Sequence, residues 1–232
     1  MASPLALIVG VGDGLSASLA RRLAAADYQL VLAARNVDGI AALAAETGGE
    51  TRACDATDPG DVADLFGGLD GRLSVAIYNP SMRVAGPVAE LDPEKVRAAI
   101  DVTAFGAFLS AQQAARIMLA QEPEDGTRGT ILFTGASAGM KGFARSAPFA
   151  MGKFAERGLA ESMARELHPQ GVHVALVHID GAINNPGRSN PADNPDALLD
   201  PDAIADTYMH VIGQHRSAWT SEVALRPWVE NF

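Results

Sequence analysis

Short apolar runs alternate along the chain with longer stretches in which hydrophobic residues recur at helical spacing. The runs Leu5 to Val9, Gln29 to Ala33, Glu50 to Cys54, Ser74 to Tyr78, Thr130 to Thr134, Val172 to Ile179 and Glu222 to Leu225 predict seven strands, with helices in the gaps. Parallel strands need crossover helices, so this alternation predicts an α/β fold: one doubly wound parallel sheet with helices on both faces. A length of 232 residues suits a single domain over 1–232, with no internal repeat or linker.

Local signals sharpen the helices. Asp92-Pro93 and Asp200-Pro201 each place a capping acid before a proline suited to the first helical turn. A long helix is expected from Val96 to Ala120, and another from Pro148 to His168 that Pro169 and Gly171 terminate. The segment Asn184 to Leu199 breaks the pattern, with Pro186, Pro191 and Pro195 among several Asn, Asp and Ser residues. It follows the sixth strand, at the end of the sheet where ligands bind, so it is a candidate lid or a plain surface connection.

Composition narrows the partners. A formal net charge of −10 opposes binding to nucleic acid or to an anionic membrane surface. No apolar stretch approaches the ~20 residues of a membrane-spanning helix. Cys54 is the sole cysteine and cannot form an internal disulfide, and Met1-Ala2-Ser3-Pro4 lacks the basic opening of a secretory signal, so the expected location is cytoplasmic. No metal site is expected: His173 and His178 are an odd number apart on one strand, and His210 and His215 do not share a helix face. The apolar context of Cys54 marks it as a packing residue in the third strand.

The first strand runs into Gly10-Val11-Gly12-Asp13-Gly14-Leu15-Ser16 and then a helix. Bare backbone N–H groups and a helix dipole at such a turn attract a pyrophosphate, although a tight βα turn without ligand has the same appearance.

Further motifs make the chain resemble the short-chain dehydrogenase/reductase family over almost its whole length, which implies a Rossmann-type fold. Gly10 and Gly14 are similar to the first two glycines of the family's G-x-x-x-G-x-G turn, with Ser16 in place of the third. Gly12 and Leu15 complete the expected contacts. Cys54-Asp55-Ala56-Thr57-Asp58 resembles the family's D-x-T-D stretch, implying that Asp55 and Ala56 meet the adenine, with a helix cap as the rival role for Asp55. Asn79-Pro80-Ser81 stands where the family has N-A-G. Asp180-Gly181-Ala182-Ile183-Asn184-Asn185 stands where it has P-G-x-V-x-T, with Asp180 in place of the proline; the resemblance implies cofactor contacts from Asp180, Gly181, Ile183 and Asn185, that of Asn185 near the carboxamide. The second strand ends in Ala33-Ala34-Arg35-Asn36, without the carboxylate that favours NAD. Arg35 and Asn36 therefore point to NADP(H) as the preferred cofactor, with NAD(H) as the alternative and Asp13 arguing mildly the other way.

At the chemical end the resemblance breaks. Phe149-Ala150-Met151-Gly152-Lys153 aligns with the family's Y-x-x-x-K, so Lys153 is matched and implied to hold the nicotinamide ribose, while Phe149 keeps the ring and loses the proton. The family serine falls at Ala136, with Ser137 one place later, and its helix asparagine falls at Thr103. Ser137 and Thr103 are expected to orient the substrate, and Tyr78 is a weak candidate proton donor. The resemblance implies an NADP(H)-dependent oxidoreductase acting on a small carbonyl or alcohol with an atypical catalytic set. The alternative is a catalytically impaired NADP(H)-binding protein with a sensing or interaction role. A homodimer or homotetramer is expected, because Val96 to Ala120 and Pro148 to His168 correspond to the helices that pair in the family and because Trp219, Trp228 and Phe232 crowd the tail.

Overall fold

The computed structural model describes residues 3–229; Phe232 lies outside the described residues. Seven parallel strands form one sheet: β1 (Leu5–Val9), β2 (Gln29–Ala34), β3 (Glu50–Ala53), β4 (Leu73–Tyr78), β5 (Gly129–Ala136), β6 (Val172–Ile179) and β7 (Glu222–Leu225). Their order is β3-β2-β1-β4-β5-β6-β7. The central strands read as near-continuous apolar runs because both of their faces are covered.

The side chains of each strand point alternately to the two faces, which builds two apolar layers. On one face Leu7, Val9, Ala76, Phe133 and Val174 pack under α3 (Pro59–Gly67), α5 (Gly106–Ala120) and α6 (Ala147–Leu167). On the other, Ile8, Leu32, Ile77 and Val177 pack under α1 (Leu15–Ala25), α2 (Ala41–Thr47) and α7 (Pro201–Ile212). Asp58, Asp92 and Asp200 cap α3, α4 (Pro93–Ile100) and α7, each accepting hydrogen bonds from backbone N–H groups of the first turn before a proline start.

The expected elements are all present, with local corrections. β3 ends at Ala53, so Cys54 lies just past the strand, though still buried. The α6 helix is followed by a short 3₁₀ turn, His168–Gln170, and Gly171 closes it in the left-handed region. The helix expected over Val96 to Ala120 is not uniform: α4 passes through a π-turn, Asp101–Phe105, before α5 begins. The cause is Tyr78, whose hydroxyl donates to the Val102 carbonyl and takes that acceptor out of the regular ladder. Gly106 makes the approach possible, because a Cβ there would sit 2.4 Å from the Tyr78 oxygen and 2.6 Å from the Ala56 carbonyl.

The loop after β6 is tied at its base. Ile183 and Leu199 form a parallel bridge, the Asn184 N–H donates to the Leu199 carbonyl at 2.8 Å, and the Leu199 N–H donates to Ala182 at 2.9 Å. The indole of Trp228 reaches Asp196 at 2.9 Å. Trp219 stacks face to face on His173 at 4.7 Å between centroids, so one of the tail aromatics seals the protein's own edge.

Candidate active site

The strand order reverses direction between β1 and β4, and the loops leaving their carboxyl ends part company there. A cleft of about 800 Å³ opens at this point. One end is the turn from Gly10 to Ser16. Gly10 has φ +82°, and a Cβ there would lie 2.5 Å from the Pro80 ring, so only glycine fits between the β1 and β4 loops. Asn79 locks that contact, its Nδ2 donating to the Gly10 carbonyl at 3.2 Å. Ser16 replaces a third glycine without blocking the turn: its hydroxyl folds back, accepting from Gly12 N–H at 2.9 Å and donating to Gly12 O at 3.2 Å.

The N-terminus of α1 faces this cleft and differs from the three Asp-capped helices. Its cap residue is Gly14, with no side-chain cap and no acid in the first turn, so its leading N–H groups suit an incoming anion. Asn185 lies against Gly14 with Oδ1 buried and unpartnered, facing the same turn. An uncapped helix, a glycine cradle and an orphaned amide oxygen in a cleft of this size fit a dinucleotide.

The other end of the cleft is lined by Ala136, Ser137, Phe143, Ser146, Phe149 and Lys153. β5 ends at Ala136, and Ser137 opens a 3₁₀ turn that closes on its own carbonyl. Phe149 is buried in the first turn of α6, and the Arg83 guanidinium lies 4.5 Å above its ring centroid. Lys153 sits one turn further on. It is only 2% exposed, and its Nζ donates to the Thr134 carbonyl at 2.6 Å and to Glu156 Oε2 at 2.8 Å.

Glu156 is wholly buried, its second oxygen has no partner, and burial pushes its pKa up to about 7 against the opposing pull of Lys153. Behind the pair, Tyr208 of α7 shares a 2.8 Å hydrogen bond with the Thr134 hydroxyl.

Residues 4–197 match the family model described as short chain dehydrogenase. The chain belongs to the short-chain dehydrogenase family. It is 30% identical over 205 residues to the 2,5-dichloro-2,5-cyclohexadiene-1,4-diol dehydrogenase of Sphingobium indicum, a match covering 84% of this chain and 78% of that enzyme. A short-chain dehydrogenase from Rhodopseudomonas palustris superposes with a TM-score of 0.82 at 32% identity, covering 97% of this chain and 99% of its own. A metagenomic short-chain oxidoreductase solved in complex with NADP superposes with a TM-score of 0.83 at 28% identity, covering 99% of each chain.

Within this family frame, most of the expected residues converge. Gly10, Gly12, Gly14, Leu15, Asn79, Ser81, Ser137, Phe149, Lys153, Gly181, Ile183 and Asn185 line the one cleft. Arg35, Asn36, Asp55 and Ala56 lie outside it, on the segments following β2 and β3, where an adenosine half would extend. Asp55 is not the helix cap, a role Asp58 fills. Its Oδ1 accepts from the Thr57 N–H and hydroxyl, and those bonds, with the nearby Arg35 charge, lower its pKa.

Four expectations need correction. Pro80 turns away from the cleft to pack on Gly10, and Asp180 is buried beside Arg226 at 3.4 Å. Thr103 is fully buried outside the cleft, because the π-turn aims its hydroxyl at the Met82 N–H, 3.2 Å away. Tyr78 is no proton donor to this site: its hydroxyl is committed to Val102, and burial drives its pKa upward.

Sequence reasoning missed Arg83, Arg188 and Glu156. The two arginines sit in irregular loops that no periodicity positions. Glu156 was recoverable, since it falls with Phe149, Lys153 and Ala160 on the buried stripe of α6, where an acid is out of place. No helix among the described residues is long and apolar enough to cross a membrane, and none of their His, Cys, Asp and Glu side chains cluster as a metal site.

The buried pair yields a stability prediction. At about pH 8, above the raised pKa, the carboxyl is ionised, so Glu156→Leu strands the Lys153 charge and should cost about 3–5 kcal/mol in urea unfolding, whereas Lys153→Met combined with Glu156→Leu should recover most of that loss. A folded-state pKa above the 4.5 of an ordinary carboxyl means that the native protein holds the extra proton. Stability should therefore fall as pH rises from about 4.5 to about 7, and this slope should vanish in the double variant. Unfolding midpoints across that range provide the check.

Proposed function

We propose that this protein is an NADP(H)-dependent oxidoreductase of the short-chain type, interconverting a small carbonyl compound and its alcohol with an altered proton donor. The observation that carries the reading is the continuity of a single cleft from the uncapped N-terminus of α1 to Lys153 and Phe149. The same cleft thus joins an anion-binding turn to a chemical end. Bound there, the nicotinamide supplies or accepts hydride. The chain's own part is to seat the pyrophosphate on the uncapped leading N–H groups of α1, meet the carboxamide with Ile183 and Asn185, and present Lys153 to the ribose hydroxyls. Ser137 orients the substrate oxygen.

NADP(H) is favoured over NAD(H) by Arg35, exposed at the end of β2 with no carboxylate beside it on that strand, and the related metagenomic oxidoreductase was solved with NADP. Phe149 lacks an acidic proton, so the phenol's usual work falls to other groups.

We also read the protein as a single-domain homodimer or homotetramer. Phe105 and Phe108 at the start of α5, with Met151 and Phe154 on α6, are between 41% and 52% exposed, more apolar surface than a lone subunit needs on two neighbouring helices. A cytoplasmic location suits the lone thiol, Cys54, whose burial pushes its pKa up to about 11 and leaves it unreactive.

Three outcomes test this reading. Titration should show NADPH binding at least tenfold more tightly than NADH, with Arg35→Asp reversing the order; equal affinities for the wild type would remove the NADP(H) assignment. Sedimentation at micromolar concentration should show a dimer or tetramer, and Phe154→Glu should shift it toward monomer. Phe149→Tyr should raise NADPH-dependent reduction of an activated ketone by about tenfold or more, the lower reach of general acid assistance. Cofactor binding without any gain would show a pocket rebuilt for other chemistry.

A further inference from the structure

The oxidoreductase reading leaves Glu156 without a task. This carboxyl has no solvent exposure, yet it lies one helical turn from Lys153 at the floor of the cleft. The ionisable groups that face it are Lys153 on its own helix, Tyr78 from β4 and Tyr208 from α7. Neither hydroxyl bonds to it: Tyr78 is spent on the Val102 carbonyl and Tyr208 on the Thr134 hydroxyl. Lys153 satisfies Oε2 alone, and Oε1 is left without a partner.

A buried carboxylate with one bare oxygen is far costlier than the neutral acid, so the geometry favours a proton on this group even beside an ammonium. Burial moves the pKa the same way. The cleft therefore has a protonated reserve directly behind its only lysine, at the end where Phe149 offers no proton.

We propose that Glu156 and Lys153 form the proton store that replaces the missing phenol: Lys153 hands a proton to the substrate oxygen, and Glu156 restores it. The proposal rests on the oxidoreductase reading. In the reducing direction a bound reduced nicotinamide would supply the hydride to the carbonyl carbon, which leaves the former C=O π pair on the substrate oxygen. That oxygen takes one proton from Lys153 Nζ, and Nζ takes one from the Glu156 carboxyl. The pair passes from carboxylic acid plus ammonium to carboxylate plus ammonium, and water later returns the proton. Alcohol oxidation runs the same steps backward and needs the ionised pair. Reduction should therefore be favoured below about pH 7 and oxidation above it. Glu156 acts through Lys153 and is a positioning residue, whereas Lys153 touches the substrate.

Two measurements test this, one of them independent of turnover. Infrared difference spectra of the wild type, without cofactor, should show a protonated carboxyl band that disappears as pH rises through neutrality and is absent in Glu156→Gln. Should that variant fail to fold, Glu156→Asp should retain the band at a shifted position and serves to assign it. No such band in the wild type between about pH 5 and 9 overturns the proposal.

The second measurement is NADPH-dependent reduction of 2,3-butanedione against pH. The wild-type kcat should fall about tenfold per unit above neutrality, as loss of one required proton demands. Glu156→Gln should lose this inflection while its KM for NADPH stays within about threefold, a smaller change than one lost hydrogen bond to a charged group. An unchanged inflection in Glu156→Gln overturns the proposal. If the band is present but no carbonyl or alcohol is turned over with NADPH or NADP, the oxidoreductase reading fails, and the proton on Glu156 stands apart from it.

Discussion

The reversal of strand order between β1 and β4 is the constraint on which the rest of the structure depends. Two neighbouring parallel strands send their chains to opposite faces of the sheet, one into α1 and the other toward α4, so neither strand's own connection crosses the gap between them. The gap persists because its rims are stitched together below. Asn79 N–H donates to the Val9 carbonyl, Asn79 Nδ2 donates to Gly10, and the Pro80 ring fills the space that a Gly10 side chain would need. A crevice made this way is a property of topology. Its chemistry is left to the residues at the strand ends.

Those residues divide the cleft by charge. At the α1 end the backbone supplies the positive potential, and Asp13 is the acid in its lining. At the far end side chains supply it: Lys153 from below and Arg83 over Phe149. Backbone N–H groups are cheap to keep dry because they carry no formal charge, whereas Lys153 must be offset. Glu156 Oε2 at 2.8 Å and the Thr134 carbonyl at 2.6 Å accept its hydrogen bonds, and the carboxyl offsets the charge in full only once it is ionised. Thr134 in turn is held by Tyr208, so a polar seam runs from α6 through β5 to α7 across the sheet. Such a seam stabilises less than hydrocarbon would, and it fixes where one ammonium stands.

Period and punctuation make the fold legible in the sequence. Strand runs such as Val172 to Ile179 and the Asp-Pro helix starts are local signals, and local chemistry alone determines them. The glycine turn and Lys153 were legible for the same reason. What escaped was set by distant partners. The π-turn depends on a tyrosine more than twenty residues upstream, and Thr103 rotates out of the cleft with it. Arg83 is placed by the ring of Phe149, far away in sequence. Glu156 lies between these cases: its burial follows from helical period, but its missing partner is visible only once β4, β5 and α7 are in place.

On the oxidoreductase reading proposed above, a site with Phe149 beside Lys153 must divide between separate groups two functions that one phenol could combine. As hydride reaches a carbonyl carbon, the oxygen gains negative charge that must be both stabilised and protonated. Stabilisation needs only oriented positive charge, which Arg83 and Lys153 provide along the same cleft without losing a proton. Protonation needs an acid whose conjugate base is tolerable where it forms. Arg83 cannot serve, because guanidinium does not give up its proton in a protein. An isolated lysine would serve poorly at neutral pH, since it loses a proton readily only when burial disfavours its charge. Lys153 escapes that difficulty if it never remains neutral, and a carboxylic acid 2.8 Å behind it is placed to replace each proton as it leaves. The charge that finally appears is then the carboxylate of Glu156, beside an ammonium that stabilises it.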